Sequence, residues 1–491
     1  MRASAARPAP RAALPGAAAP RAASRLAARA SMSPPRDDPA PPPAPSLLPW
    51  LARVTDDPAL ESRVALVDDP GDGLGRRLVA LRTLAPDEVI FNIPWSLVFA
   101  DDDDDDSDDS DVDDDDALVA AALPWSARMA VRLLEERAAR GPRLAWIESL
   151  PARVSTPPLE YAERALLACE DPAAIEEARS VAAAHDAAYL ALARRIRAAG
   201  ADEDAFRVAV GAVHSRCFVH GPKGTHLAVP GVDMCNHSFE RANAAVRVVT
   251  SPETCQGERA TSEVAPPPPP RRDPGDADAA VYDARFFQLR AGEDGIDAGE
   301  EVTISYGAWP NDPFFLYFGF VPENNPNDSA ILFRDAEDAA RCAARAGLVA
   351  SEADAAEIAR GLMNETKSGG DDADDDEDEE GRGMMRRRMV LTRAGEVDAG
   401  VVRVAEALGV AWMDLVEARC RERMRAFETT LKEDRAKLAE CEGGDEAGAL
   451  ADEAGALADE AVAVRFRMSK KEVLLGPLAA AQARARAIAE S

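Results

Sequence analysis

Residues 101–116 hold 13 Asp in sixteen positions. Like charges at that density repel, and the run offers nothing apolar to bury, so it reads as a solvated loop. Any fold must therefore be assembled from separate blocks that meet in space. Two later stretches interrupt the chain in the same way. Residues 251–280 are rich in Pro, Asp and Gly, including Pro266–Pro270, and read as a disordered surface insertion. Residues 371–380 hold nine acidic residues and read as a loop between helices. The two acidic tracts dominate a net charge of −31, so no nucleic-acid partner is expected. The first 36 residues reverse the balance, with seven Arg and no Asp or Glu. That is the composition of a transit peptide. Prolines at 8, 10, 15 and 20 would break a long presequence helix, which favours a plastid over a mitochondrial address. A disordered Ala/Arg-rich tail has the same composition.

Between the interruptions the pattern alternates. Val64–Val67, Leu78–Leu81 and Glu88–Pro94 are strand candidates, the first two joined by the glycine-rich turn Asp69–Gly75. Residues 117–205 carry apolar positions at three- and four-residue spacing and read as a helical insert. Phe206–Phe218 reads as one more helix. Strand character resumes at Ala280–Tyr282, Phe286–Leu289 and Val302–Tyr306. Helical pattern returns at 335–347, 353–363, 399–441 and 470–490. A seven-residue unit repeated over 446–459 contains Gly in each copy and reads as a spacer. Seven cysteines form no Cys-x-x-Cys pair, which argues against a zinc cluster or disulfide framework and for a reducing compartment. No run of 18 apolar residues exists, so no membrane-spanning helix is expected.

Two stretches carry chemistry. Pro230-Gly-Val-Asp-Met-Cys-Asn-His237 sets an amide beside an imidazole after an Asp. Gly299-Glu-Glu-Val-Thr-Ile-Ser-Tyr-Gly307 is a strand-like run ending in a Tyr-Gly corner. Taken singly each has a plain reading: a self-satisfied turn, a packed tyrosine, a hairpin at Gly73 and Gly75, a surface ion pair at Arg216. In order along the chain, however, five pieces occur together: Asp72-Gly-Leu-Gly75, Ser215-Arg-Cys-Phe218, the two stretches above, and Phe318-Gly-Phe-Val321 followed by Asn325-Pro-Asn-Asp328. This set resembles the SET-domain protein methyltransferases, in particular the plant-type branch typified by Rubisco large-subunit lysine methyltransferase.

The resemblance implies an α+β fold, a β-rich SET core with a helical insert followed by an all-α C-terminal substrate-binding domain. The expected boundaries are 1–45 for transit peptide and linker, 47–116 for the N-terminal SET part with the acidic loop, and 117–205 for the insert. The C-terminal SET part would span 206–328 and the helical domain 329–491. It also implies S-adenosyl-L-methionine as cofactor, held by Asp72, Gly73, Leu74, Arg216, Asn236, His237 and Phe318. Phe318 stands where relatives carry Tyr, so a ring face is kept and a hydroxyl lost. Tyr306 would be the catalytic residue beside the methyl channel, and Arg216, His220, Asp233 and Tyr306 would contact substrate. No metal is expected. The implied reaction is methyl transfer to a lysine of a stromal protein such as Rubisco large subunit or a chloroplast aldolase, by a monomer whose C-terminal helices dock the protein substrate, with no nucleic-acid or membrane partner. Arg419, Arg421, Arg423 and Arg425 are candidates for that docking face. A non-catalytic SET-like module gripping basic proteins, or a histone- or histidine-directed enzyme, stays open, as do the mitochondrion, cytoplasm and nucleus.

Overall fold

The computed structural model describes residues 46–69, 75–101, 123–221, 224–250, 285–368, 388–443 and 451–490. The leader, Asp72, Gly73 and Leu74, the Asp run after Asp101, the 251–280 insertion and the 371–380 tract lie outside the described residues.

Helix α1 (Leu47–Val54) buries Leu47, Trp50 and Leu51 and leads into the first hairpin. There β1 (Val64–Asp69) pairs antiparallel with β2 (Gly75–Ala80), from Val64 opposite Ala80 to Asp69 opposite Gly75. Strand β3 (Val89–Pro94) follows, and the two-residue β4 (Phe99–Ala100) after it joins a different sheet. The strands expected at 64–67, 78–81, 88–94 and 286–289 are all present. Three others carried no clear signal. The antiparallel β5 (Cys217–His220) and β6 (Thr225–Ala228) join β4 in the order β4-β6-β5. Strand β8 (Ala244–Val249) closes a sheet with β9 (Phe286–Ala291) and β3 in the order β3-β9-β8. The helix expected over Phe206–Phe218 accordingly stops at Arg216, where the chain turns into β5.

The insert is helical, as expected. It contains α2 (Trp125–Ala139) and the 27-residue α3 (Pro172–Ala198), followed by α4 (Glu203–Arg216). Asp171 starts α3: its carboxylate accepts from the amides of Ala173 and Ala174 at 2.9 and 3.2 Å, and Pro172 sits where no amide is needed. Faces of α2 and α4 share one apolar core with the β unit, through Met129, Leu133, Phe206 and Val210 against Phe91, Phe99 and Leu227.

The C-terminal part is helical with one addition, a ribbon of β11 (Ser329–Phe333) antiparallel to β12 (Met389–Thr392). Its own core is built from α5 (Ala336–Arg345), α6 (Glu352–Ser368), α7 (Ala399–Leu408) and α8 (Trp412–Ala426) with the middle of the long last helix α10 (Ala451–Glu490), while α9 (Leu431–Gly443) packs along α10. The second copy of the seven-residue repeat is part of α10 and not a spacer. Tertiary contacts hold it helical despite Gly455: Ser155 Oγ donates to Asp459 at 2.5 Å and Arg164 pairs with Glu460 at 2.7 Å. A small third core stitches the parts together, with Phe315 stacked on Phe466 of α10 at 4.3 Å.

The proposed basic docking face is corrected by the same packing. Arg419 is buried against Asp338 at 2.5 Å, Arg423 reaches Asp171 at 2.7 Å and the Ile331 carbonyl at 2.5 Å, and Arg421 pairs with Glu417. Of the four, only Arg425 is exposed without such a tie among the described residues. Among the described residues no helix is long and apolar enough to cross a membrane, and no group of three or more His, Cys, Asp and Glu is placed to hold a metal ion.

Candidate active site

Backbone pairing brings the two stretches together. Strand β7 (Asn236–His237) lies parallel to β10 (Thr303–Ile304), Asn236 opposite Thr303 and His237 opposite Ile304. The 299–304 segment is held on its other edge by β2: Ala80 N donates to Glu300 O at 2.8 Å and Val302 N to Leu78 O at 2.7 Å. The hairpin expected to carry the glycine turn, the Asn-His pair and the Tyr-Gly corner therefore share one backbone scaffold.

Before β7, the chain turns at Gly231, whose φ is +84°. A Cβ there would stand 2.6 Å from Leu51 Cδ1, so only glycine fits. Asp233 closes this turn. Its carboxylate accepts from Gly231 N at 2.9 Å and from the buried Trp146 indole at 3.0 Å, and its side chain has no exposure. Burial pushes its carboxyl up, opposed by Arg216 3.8 Å away. Asp233 was expected to face substrate; its oxygens are instead enclosed and spent on the turn.

Arg216, the last residue of α4, donates to the Asp233 carbonyl at 2.6 Å. Its Nε is buried with no partner among the described residues. Asn236 donates to Glu301 Oε1 at 2.8 Å and to the Arg76 carbonyl at 3.2 Å. It thus ties β7 to both neighbouring segments.

Tyr306 is fixed at three atoms. Its amide donates to His237 Nδ1 at 3.1 Å, its hydroxyl donates to the Cys235 carbonyl at 2.7 Å, and its carbonyl accepts from Trp309 Nε1 at 2.9 Å. Trp309 can fold back because Gly307 has φ +113°; a Cβ there would meet the indole nitrogen at 2.8 Å. Burial drives the Tyr306 hydroxyl well above the ordinary phenol range, against the pull of Arg216, so it stays a neutral phenol. Burial likewise raises the Cys235 thiol, which rules it out as a ready nucleophile.

His237 sits among aromatic rings: Phe314 stacked at 4.9 Å, Phe239 edge-on at 4.2 Å and Tyr306 at 5.1 Å. Burial lowers its pKa, favouring the neutral ring. Because Nδ1 accepts from Tyr306, the proton of that neutral ring belongs on Nε2. That atom is buried and has no partner among the described residues. Phe318 completes the wall, its half-buried ring 5.4 Å from Tyr306. The site therefore offers two unpaired donors, His237 Nε2 and Arg216 Nε, beside half-buried ring faces. It suits a ligand carrying hydrogen-bond acceptors and a planar group.

Arg216, Asn236, His237, Tyr306 and Phe318 are thus brought together, while Asp72, Gly73 and Leu74 lie outside the described residues. His220 is placed apart, at the far end of β5, roughly 13 Å of strand beyond Arg216. Its ring packs 5.7 Å from Trp95. Sequence reasoning missed Glu301, Trp309 and Phe314. Glu301 stood within the motif already singled out, and Phe314 within the Phe-rich run before Phe318; Trp309 follows the Tyr-Gly corner by two residues.

The fold is similar to that of solved SET-domain structures. Within that class the likeness is to Rubisco LSMT. The SET domain of LSMT bound to lysine and AdoHcy superposes with a TM-score of 0.54 at 18% identity, covering 88% of this chain and 90% of that one. The structure of Rubisco LSMT bound to AdoMet gives a TM-score of 0.54 at 17% identity, over 88% and 91% of the two chains. The same domain with methyllysine and AdoHcy gives 0.55 at 16% identity. The family model described as Rubisco LSMT substrate-binding matches residues 374–474. No curated protein matches the sequence.

Proposed function

We propose that this chain is an S-adenosylmethionine-dependent protein-lysine methyltransferase. The observation that carries the reading is Tyr306, held at three atoms beside an Asn-His pair whose His237 Nε2 has no partner among the described residues. The cofactor fits the donors present. Its adenine would lie against Phe318 with its acceptors toward His237, and Arg216 and Asn236 would lie beside it; Asp72, Gly73 and Leu74 remain candidates from the sequence alone. When bound, the cofactor supplies an electrophilic methyl group on a sulfonium.

The protein's own part is to align and to dehydrate. A lysine attacks only as the neutral amine, and its free pKa is about 10.4. Aromatic walls penalise the ammonium and lower that value. The Tyr306 hydroxyl donates its hydrogen bond to Cys235 O, leaving its oxygen lone pairs free to accept from an N–H of the incoming amine and so orient it. As a neutral phenol it orients and does not act as base. Alignment of this kind contributes about 7–11 kcal/mol in well-placed pairs.

The protein substrate would dock on the C-terminal helices, on surfaces other than Arg419 and Arg423. A plastid-stromal protein, such as Rubisco large subunit or aldolase, is the substrate class that the leader composition favours. The test is mass spectrometry of stromal proteins incubated with the chain and heavy-methyl S-adenosylmethionine. A labelled lysine supports the reading and names the substrate. A labelled histidine redirects the target atom, and absence of any labelled protein removes the stromal assignment.

A further inference from the structure

Tyr306 is connected to the last helix by a line of buried polar side chains. Trp309, whose indole holds the Tyr306 carbonyl, has its own carbonyl held by Asn325 Nδ2 at 2.9 Å. The same Nδ2 donates to Asn311 Oδ1 at 2.8 Å. Asn311 donates to both oxygens of Asp328, from its amide at 3.1 Å and its side chain at 3.0 Å. Asp328 accepts in turn from Lys470 Nζ of α10 at 3.0 Å. Lys470 completes its three donors with Asp312 at 2.6 Å and the Ser329 carbonyl at 2.6 Å. Asn311, Asn325, Asp328 and Lys470 are each 1% exposed or less.

We propose that Lys470 is a positioning residue for Tyr306, acting through Asp328, Asn311, Asn325 and Trp309. The argument is one of enforced geometry. Two carboxylates, the partly buried Asp312 and the fully buried Asp328, are held close together by the one ammonium that lies between them. Without it they must move apart or take up a proton. Either response shifts Asn311 and Asn325, which are buried and bonded to Asp328 and to each other, and releases the Trp309 carbonyl. The indole then no longer pins the Tyr306 carbonyl, and the phenol is held by its amide and hydroxyl alone. Lys470 is itself carried on a helix fixed to the core by the Phe466–Phe315 stack, so the C-terminal part sets the geometry of the SET core. Lys470 is 1% exposed and all three of its donors are taken up here. The positioning role rests on Tyr306 being the methyl-transfer tyrosine, but the link itself has a readout that does not.

The chain has six tryptophans, which give six separate indole N–H signals in the nitrogen-labelled protein. In Lys470→Met, hydrogen exchange at the Trp309 indole should be at least tenfold faster, while Trp50 and Trp146, in the SET core, keep wild-type exchange. Transfer of tritiated methyl from S-adenosylmethionine into stromal protein should fall at least tenfold, with the affinity for S-adenosylmethionine within about twofold. Wild-type exchange at Trp309 in the folded variant would overturn the proposal. So would equal acceleration at all six indoles, the mark of a merely structural role. If Lys470→Met does not fold, the pair Lys470→Met with Asp312→Asn, which removes one stranded carboxylate, is read by the same signals. If the wild-type chain transfers no methyl group, the proposed activity falls, and the indole signals still decide the link.

Discussion

The amide of Tyr306 donates to Nδ1 of His237 at 3.1 Å. That one bond joins the two stretches in which the chemistry is concentrated. It also fixes the imidazole tautomer, placing the proton of the neutral ring on the unpartnered Nε2. The two stretches are thus not independent features: the residue proposed to orient the nucleophile also sets which His237 nitrogen carries the proton.

Tyr306→Phe separates these roles. The backbone bonds to His237 and Trp309 remain, and only the hydroxyl is lost, leaving the Cys235 carbonyl unpaired at a cost of about 1–3 kcal/mol. The variant should fold and bind S-adenosylmethionine like wild type, while methyl transfer falls by about 10²–10³, the scale of losing one pre-set polar contact at a reacting centre. Unchanged turnover would refute the role of the hydroxyl.

Asp233→Ala should act on stability. It strands the Trp146 indole and the Gly231 amide and leaves Arg216 without its carboxylate. Removing one partner of a buried set of this kind costs about 3–5 kcal/mol. Urea unfolding measures it, and a loss below about 1 kcal/mol would return Asp233 to the role of a solvent-facing substrate contact.

Acid should weaken the fold through a histidine cluster that the sequence did not announce. His214 lies 5.2 Å from His185 and 5.3 Å from Tyr317, with Trp125 and His226 close by. His185 bonds Ser126 and the Val181 carbonyl, with Arg207 and Asp186 in its field. Burial holds both pKa values below the ordinary range, His214 far below. The unfolded chain takes up protons near pH 6.5 and the folded one does not, so this contribution is complete above that pH. It is lost as pH falls, at up to about 1.4 kcal/mol per pH unit for each ring. Thermal unfolding at pH 7.5 and 5.5 should show a smaller drop for His214→Phe than for wild type; equal drops would contradict the assignment.

The Asp run divides at its first residue. Asp101 accepts from His226 N at 3.0 Å and pairs with His226 Nδ1 at 2.8 Å, pinning β4 to β6. Deleting 103–116 should leave Tm within about 2 °C, whereas Asp101→Ala should lower it by more, through the loss of about 1–3 kcal/mol of charged hydrogen bonding. Loss of soluble protein on the deletion would show the run to be structural.

The strands of the SET core were legible because β-branched runs between glycine turns have few other uses, and the site because its motifs kept their order. What stayed hidden was set by tertiary contact. Strand β8, Ala-Ala-Val-Arg-Val-Val, has three consecutive exposed residues and owes its pairing to β9. Arg419 and Arg423 looked like a docking face because spacing reports which side of a helix a residue is on, not what covers that side. Lys470 did leave a trace. It falls on the stripe of Phe466 and Leu474, both buried, at helical spacing. A charge on an apolar stripe must have a partner, although its identity cannot be read from the helix.

The central claim is that the Asn236–His237–Tyr306 corner binds S-adenosylmethionine for methyl transfer. Equilibrium dialysis of the full chain with labelled S-adenosylmethionine tests it most directly. The account predicts one cofactor per chain for wild type and Tyr306→Phe, and binding at least tenfold weaker for His237→Ala. No binding by the wild-type chain would contradict it and leave the non-catalytic binding module as the reading of this fold.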